Sequence, residues 1–242
     1  MRLKIKIPMV ILLFGYVLLS FQLPQSKNRF FSYTINPDNQ DLRFFWKNDS
    51  GQILNTFNNL IDYTYSKGFD LVFAMNGGMY KTDYFPLGLY IENKKEYTPI
   101  NMADAYGNFY LKPNGIFYLD TANKAKICES SKFVNNGDIK YATQSGPMLI
   151  VEGKIHPAFI QGSQNLHIRN GVGILPDGNV VFAISTEKVN FYDFAMFFKD
   201  QGCKNALYLD GFVSRMYLPE ENQIKTDGKF GVFIGVLEKT SN

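Results

Sequence analysis

Short apolar and aromatic runs alternate with turns rich in glycine, asparagine and proline along most of the chain. The runs have the length of β-strands, and two of them, residues 69–75 and 206–209, are apolar at nearly every position, which is typical of buried strands. The first ends at Asn76-Gly77-Gly78 and the second at Asp210-Gly211. A lone carboxylate at such a place either begins a turn or stands at the rim of a sheet, and this stretch alone does not decide between the two.

Only two stretches have the apolar spacing of a helix. Residues 53–65 carry apolar side chains at helical intervals, and residues 191–201 follow Asn190, a good N-cap, and precede Gly202. Each predicted helix lies shortly before one of the two buried strands. Further strands are predicted at residues 30–35, 42–46, 87–91 and 230–237, and β-hairpins at residues 108–119, 148–155 and 172–184.

Strands therefore outnumber helices, and no internal repeat or linker follows residue 30. A length of 242 residues fits one domain. We predict an α+β fold in which residues 27–242 form a single domain, with mixed, mostly antiparallel β-sheets and a few flanking helices.

The first 26 residues differ from the rest of the chain. Arg2, Lys4 and Lys6 precede an apolar run at residues 7–21, which is short for a membrane span and suits a signal peptide. No good cleavage site follows, so residues 1–26 are predicted to be a signal peptide or an uncleaved N-terminal anchor. In either case we expect an exported, periplasmic or extracellular protein that meets the membrane only through such an anchor.

The charge balance excludes one class of function. The chain has 25 basic and 22 acidic residues, and the three cations of the leader account for the difference. The remaining body is neutral and lacks the basic surface of a nucleic-acid-binding protein. Cys128 and Cys203 are the only cysteines, and the sequence leaves open whether they form a disulfide or remain two thiols.

Most catalytic signatures are absent. His156 and His167 are the only histidines, and they lack metal-ligand spacing. There is no nucleophile elbow, phosphate-binding loop or dinucleotide fingerprint, and no spacing favours a Ser-His-Asp triad. The sequence requires no cofactor, although the side-chain oxygens of Asp210 and Asn76 would suit a divalent cation such as Ca²⁺ or Mg²⁺.

What remains is a set of polar turns that contain glycine and follow apolar strands. Glycine allows close approach of the backbone to a ligand, asparagine and serine offer neutral hydrogen-bonding groups, arginine matches a phosphate or carboxylate, and aspartate supplies a carboxylate. Such groups together suit a sugar that carries a phosphate. The turns are Asn76-Gly77-Gly78, Gln144-Ser145-Gly146-Pro147, Arg169-Asn170-Gly171 and Asp210-Gly211-Phe212-Val213-Ser214.

In this order the four motifs resemble the phosphodiester glycosidase family, over residues 69–237. The similarity extends to residues 108–115 and 189–195. It implies hydrolysis of the glycosidic bond between a sugar, such as N-acetylglucosamine, and a phosphodiester. One departure is Phe212, where the family usually has a small residue, and this bulk would narrow the pocket. The resemblance implies a site formed by Asn76, Gly77, Gly78, Ser145, Gly146, Arg169, Asp210, Gly211 and Ser214.

The roles expected for these residues follow from the reaction. Asp210 is the predicted nucleophile or general base, and Arg169 is predicted to bind the phosphate. Asn76 and Ser145 would hydrogen-bond to sugar or phosphate. Glu187 is the first candidate for a second carboxylate, since it follows a strand end, although a solvated loop charge is the alternative. The weaker candidates are Asp83 and Asp104.

Two other functions stay open at this point. One is a non-catalytic carbohydrate-binding protein of the cell envelope on the same fold, because a fold does not determine a function. The other is a serine-dependent hydrolase of a different bond, with Ser145 or Ser214 as nucleophile.

Overall fold

The computed structural model describes residues 29–210 and 213–240. The predicted leader at residues 1–26 and the residues Gly211 and Phe212 lie outside the described residues. Within these residues the two α-helices are α1 (Phe57–Ser66) and α2 (Phe191–Asp200). The strands are β1 (Phe30–Ile35), β2 (Asp41–Phe45), β3 (Phe69–Asn76), β4 (Tyr90–Glu92), β5 (Lys95–Thr98), β6 (Gly115–Asp120), β7 (Ala125–Glu129), β8 (Ile139–Ser145), β9 (Met148–Val151), β10 (Lys154–Ile155), β11 (Asn170–Ile174), β12 (Val180–Ser185), β13 (Ala206–Asp210), β14 (Met216–Leu218), β15 (Gln223–Ile224) and β16 (Phe233–Lys239).

The strands form three sheets. The first has the order β1-β12-β11-β13-β9-β10, the second β15-β14-β3-β16-β2, and the third β5-β4-β8-β6-β7. The pairings within them are antiparallel. This architecture confirms the predicted single α+β domain with mostly antiparallel sheets and few helices.

The strands β3 and β13 are covered on both faces, which explains their continuous apolar sequences. Phe73 of β3 lies in the main core between the sheets, whereas Leu71 packs with Phe57 of α1. In β13, Leu207 faces the main core and Tyr208 packs in the cluster under α2. Each helix therefore covers the outer face of the strand that follows it in the chain.

The two predicted helices are both present, with one boundary shifted. α1 begins at Phe57 and not at residue 53, because Ile53 forms an isolated β-bridge and Asn55 has a φ of 61° that no helix accommodates. α2 begins where it was predicted. The side chain of Asn190 accepts a hydrogen bond from the backbone N–H of Asp193 at 2.8 Å, as an N-cap does.

Two of the three predicted hairpins are confirmed, namely β11–β12 and β9–β10. The third, over residues 108–119, is wrong. Asn108–Tyr110 is a 3-10 helix that buries Phe109, whose carbonyl accepts a hydrogen bond from Asn114 Nδ2 at 2.8 Å. Strand β6 pairs instead with β7 and β8, which were not among the predicted strands.

Polar residues of all three sheets meet at one end of the molecule. β3 of the second sheet ends there at Asn76, β8 of the third sheet at Ser145, and β13 of the first sheet at Asp210. β11 begins at the same place, since Asn170 is the register partner of Asp210. We call this group of four residues the convergent end.

Cys128 and Cys203 are free thiols. Burial raises the pKa of each thiol to about 11. Both therefore stay protonated at neutral pH, and Cys203 packs in a buried apolar cluster.

Candidate functional site

The side chain of Asn76 binds the carboxylate of Asp210. Asn76 Nδ2 donates to Asp210 Oδ2 at 2.6 Å and to the carbonyl of Val213 at 2.8 Å. Asn76 is fully buried, while Asp210 keeps 7% of its surface exposed. The carboxylate is thus fixed by a donor that stabilises its charged form, and it still reaches the protein surface.

Asn170 fixes the orientation of this pair. Its Nδ2 donates to the carbonyl and to Oδ1 of Asn76 at 2.9 and 3.0 Å, and its Oδ1 accepts from the backbone N–H of Asp210 at 3.0 Å. Asn76 Oδ1 also accepts from the backbone N–H of Arg215 at 2.8 Å. The oxygen of the Asn76 amide is therefore held on one side, and its NH₂ group must point to Asp210.

The two serines hold the backbone around Asp210. Ser145 Oγ donates to the carbonyl of Leu209 at 2.7 Å, and Ser214 Oγ lies 3.2 Å from the carbonyl of Asp210 and 3.3 Å from that of Ile168. Both serines are buried. The structure therefore brings them to the site, but their hydroxyl protons are directed to main-chain oxygens.

No serine–histidine pair supports a serine hydrolase. His156 Nδ1 accepts from the backbone N–H of Ala158 at 3.2 Å, and its ring stacks on Phe159 at 4.7 Å. His167 forms an isolated bridge with Val189 through its backbone. Among the described residues, neither histidine forms a hydrogen bond with Ser145 or Ser214.

The glycines of the site allow close packing around the strand ends, within a sheet at Gly77 and Gly146 and between two sheets at Gly78. A Cβ on Gly77 would lie 2.4 Å from Ile234 Cγ1, one on Gly78 would lie 2.4 Å from Thr143 Oγ1, and one on Gly146 would lie 2.6 Å from Asn114 Cβ. Any side chain at these positions would push the strand ends apart. Their contacts are with protein atoms, and Gly211, the fourth predicted glycine, lies outside the described residues.

Arg169 is placed differently from what its predicted role requires. It is fully buried, with Nε donating to the carbonyl of Val189 at 2.9 Å and Nη2 to that of Asn165 at 2.9 Å. Nη1 donates to Tyr208 Oη at 3.3 Å, and the ring of Phe191 covers the guanidinium at 3.6 Å. Burial lowers the pKa of Arg169. This closed environment leaves no exposed face for a phosphate.

Glu187 follows the end of β12 that lies beside Asn170, at the end of a sheet as expected. Its side chain, however, points to solvent. It is 57% exposed and pairs with Arg29, Nε to Oε1, at 2.7 Å. The weaker candidates are also engaged elsewhere: Asp83 accepts from the backbone N–H of Phe85 at 3.1 Å, and Asp104 pairs with Lys112. Among these three candidates, none has an environment like that of Asp210.

Tyr80 follows the Asn76-Gly77-Gly78 turn and had no predicted role. Its Oη donates to the carbonyl of Lys229 at 2.8 Å. Burial, and then the charge of Asp210, raise the pKa of Tyr80. This phenol therefore lies within electrostatic reach of Asp210 and stays protonated. Asn170 was also missed, and the signal that would have found both is their position beside a glycine turn at a strand end.

A cavity of about 290 Å³ opens next to Ser214. We call it the Ser214 cavity. Its lining includes the apolar residues Ile168, Ile184 and Met216 and the polar residues Ser185, Thr186, Ser214, Arg215, Gln223 and Lys225. Within the described residues, no group of three or more histidine, cysteine or acidic side chains is placed to hold a metal ion.

Comparison with known proteins places the chain in a family. A family profile described as phosphodiester glycosidase matches residues 69–236. The chain belongs to the phosphodiester glycosidase family. The match runs from β3 to β16, so all four residues of the convergent end lie within the phosphodiester glycosidase region, and the resemblance predicted from the motifs is confirmed.

One curated relative is similar to this chain in sequence, and solved structures are similar to it in fold. The YigE protein of Escherichia coli K12 is 40% identical over 188 residues, which are 77% of this chain and 73% of YigE. The catalytic domain of zebrafish N-acetylglucosamine-1-phosphodiester α-N-acetylglucosaminidase, auto-inhibited by its pro-peptide, has a similar fold, with a TM-score of 0.60 and 13% identity over 88% of this chain and 85% of that chain. A Burkholderia pseudomallei protein described as exported has a TM-score of 0.51 at 10% identity, over 86% of this chain and 73% of its own.

Proposed function

We propose that this phosphodiester glycosidase family member hydrolyses the bond between the anomeric carbon of a sugar and a phosphodiester, and that Asp210 is its catalytic carboxylate. The observation that carries the proposal is the 2.6 Å hydrogen bond from Asn76 to Asp210, with Asn170 holding Asn76 in turn. Such support from neighbouring side chains keeps a reactive group in one geometry.

The chemistry requires only one carboxylate of this kind. A phosphodiester is a weakly basic leaving group, so it departs without a proton from a general acid, unlike the alkoxide of an ordinary glycoside. Asp210 then either attacks the anomeric carbon itself or removes a proton from the attacking water. The first route retains the configuration of the sugar and the second inverts it.

The experiment is release of free sugar from the methyl diester of N-acetylglucosamine-1-phosphate, followed by NMR of the anomer first formed. The wild-type protein should release sugar, and the anomer distinguishes the two routes. Binding of the diester without release would contradict the proposal and favour the carbohydrate-binding alternative. A parallel series with other sugars identifies the preferred one, since the structure names none.

We further propose that the substrate is an envelope or extracellular glycan and that the protein acts outside the cytoplasm. The support is the leader-like sequence of residues 1–26 and the description of the Burkholderia pseudomallei protein as exported. Within residues 29–210 and 213–240, no helix is both long and apolar enough to cross a membrane. Cell fractionation of the full chain tests export, and the N-terminal mass of the recovered protein distinguishes a cleaved signal from an anchor.

A further inference from the structure

The proposed substrate carries a negative charge beside the scissile bond, and Arg215 is the cation joined to the Asp210 site. Its backbone N–H donates to Asn76 Oδ1 at 2.8 Å, and the preceding residue, Ser214, contacts the carbonyl of Asp210 at 3.2 Å. Arg215 and Lys225 are both among the residues that line the Ser214 cavity. Arg169, in contrast, is closed off by Phe191.

The guanidinium of Arg215 already holds an anion in this structure. Nε and Nη2 donate to the two carboxylate oxygens of Asp227 at 2.7 and 2.6 Å. This two-pronged geometry is the one with which arginine binds a phosphate. Asp227 is 69% exposed, so the pair contributes little to stability and can be exchanged for another anion.

We propose that Arg215 binds the phosphate of the substrate in the Ser214 cavity, and that Asp227 occupies the Arg215 guanidinium until the phosphate displaces it. This inference rests on the proposed function, because it names the subsite for the phosphodiester leaving group. The exchange conserves charge, since a phosphodiester and a carboxylate each carry one negative charge. Lys225 also lines this cavity, and its positive charge helps to lower the pKa of Asp227. It would attract the carboxylate and the phosphate alike.

The same chain contains a matched control. Arg43 Nε donates to both carboxylate oxygens of Asp41 at 3.0 Å, and the guanidinium lies 4.4 Å from the ring of Phe69. Phe69 and Asn76 are the two ends of β3, which are about 23 Å apart at 3.3 Å per residue. Arg43 and Asp41 therefore repeat the chemistry of the Arg215–Asp227 pair at a place remote from Asp210.

The first test measures binding without turnover. Dimethyl phosphate, a stable monoanionic diester, is titrated into the full chain and followed by ligand-observed NMR, with neutral trimethyl phosphate as the ligand control. Arg215→Gln should weaken binding of dimethyl phosphate by about tenfold or more, whereas Asp227→Asn should strengthen it about threefold. Arg43→Gln and Asp41→Asn should leave the binding of both ligands unchanged.

The second test separates this inference from the proposed function. With the sugar diester as substrate, Arg215→Lys should raise KM and leave kcat less affected, because the charge remains and the two-pronged contact is lost. If the wild type binds dimethyl phosphate as expected and hydrolyses no sugar diester, the proposed function fails, and Arg215 remains a binding site for a phosphodiester. If it hydrolyses the diester and Arg215→Gln leaves KM unchanged, the subsite fails and the function stands.

The decisive result is that Arg215→Gln weakens binding of dimethyl phosphate while Asp227→Asn strengthens it. A purely structural Arg215–Asp227 pair would make both Arg215→Gln and Asp227→Asn lower the melting temperature and weaken binding together, which would overturn the proposal. Failure of the wild type to bind dimethyl phosphate would overturn it as well. Thermal melts of all four variants, beside Arg215→Lys, show that each one is folded.

Discussion

The two ends of β3 each have a largely buried carboxylate, and the two are held in different ways. At the convergent end, Asp210 accepts a side-chain hydrogen bond from Asn76, which Asn170 orients. At the other end, Glu92 borders a cavity of about 290 Å³. Tyr90 Oη donates to Glu92 at 2.8 Å, yet burial outweighs this donor and raises the pKa of Glu92 to about 7.

The difference shows that burial of an acid is not by itself a sign of catalysis. Glu92 has a raised pKa and a cavity, which are two common signs of an active site. The side-chain donor of Glu92 is Tyr90, and no side chain orients that donor in the way that Asn170 orients Asn76 for Asp210 among the described hydrogen bonds. For the two largest effects, a change at the convergent end is therefore compared with a change at the opposite end.

The largest effect is expected at the two carboxylates themselves. Asp210→Asn should lower kcat on the sugar diester by about 100-fold or more, because the nucleophile or base is removed while the size of the side chain is kept. Glu92→Gln should keep kcat close to that of the wild type. Equal losses in the two variants, with both proteins folded, would mean that the active end has been assigned wrongly.

The next effect concerns the hydrogen bonds that support each end. Asn170→Ala should lower the free energy of unfolding by about 3 kcal/mol, because it leaves buried groups of Asn76 and Asp210 without partners. Tyr141→Phe, which removes the hydrogen bond from Tyr141 Oη to Asn93 at 2.9 Å, should lower it by about 1 kcal/mol. Urea unfolding measures both, and a smaller loss for Asn170→Ala would contradict the supporting role.

The pH dependence of stability should differ between wild type and Glu92→Gln. Burial raises the pKa of Glu92 from 4.5 in its ordinary state to about 7, so the folded state favours the protonated form. This acid imposes no penalty below pH 4.5; the penalty grows between pH 4.5 and 7 and is complete above pH 7.

Glu92→Gln should therefore match the wild type in acid and be more stable above pH 7. The expected gain is about 2 kcal/mol, since partial exposure reduces the effect of the full pKa shift. Urea unfolding across this pH range measures it, with the exposed Glu238→Gln as control. A constant difference at every pH would show that Glu92 does not titrate in this way.

The smallest effect is expected from a chelator. The sequence allows a divalent cation at Asn76 and Asp210, but Asn76 Oδ1 already accepts from Asn170 and from the backbone of Arg215. We therefore expect kcat to be unchanged by EDTA. Loss of activity, restored by one divalent ion, would instead indicate that the Asn76 amide turns to bind a metal.

The sequence predicted the fold best at the stretches whose residue pattern is compatible with only one kind of element. The continuous apolar runs of β3 and β13 are buried on both faces by the core and by a helix, as their composition implies. Asn108–Tyr110 is also rich in aromatic residues but forms a 3-10 helix, because Phe109 is buried by a turn that Asn114 closes. That contact depends on the fold around it and not on local composition.

The sequence predicted which strand ends meet more accurately than it predicted where each side chain lies. Asp210 and Asn76 each end a buried strand, as predicted, and their side chains are hydrogen-bonded to one another. The motif with Arg169 and Asn170 offered two adjacent polar residues, and successive side chains along a strand point to opposite faces. The register of β11 with β13 turns Asn170 to Asp210, while Arg169 is covered by Phe191. Nothing local in the sequence determines that choice.

The convergent end draws its four residues from three sheets, and this has a consequence for how the protein loses activity. A slight separation of two sheets would move Asn76 or Ser145 away from Asp210 while every strand keeps its own ladder of hydrogen bonds. Catalysis is sensitive to displacements of about 1 Å. In mild denaturant, turnover should therefore disappear before the circular dichroism signal of the strands changes. The rate of the reaction then reports on the packing between the three sheets.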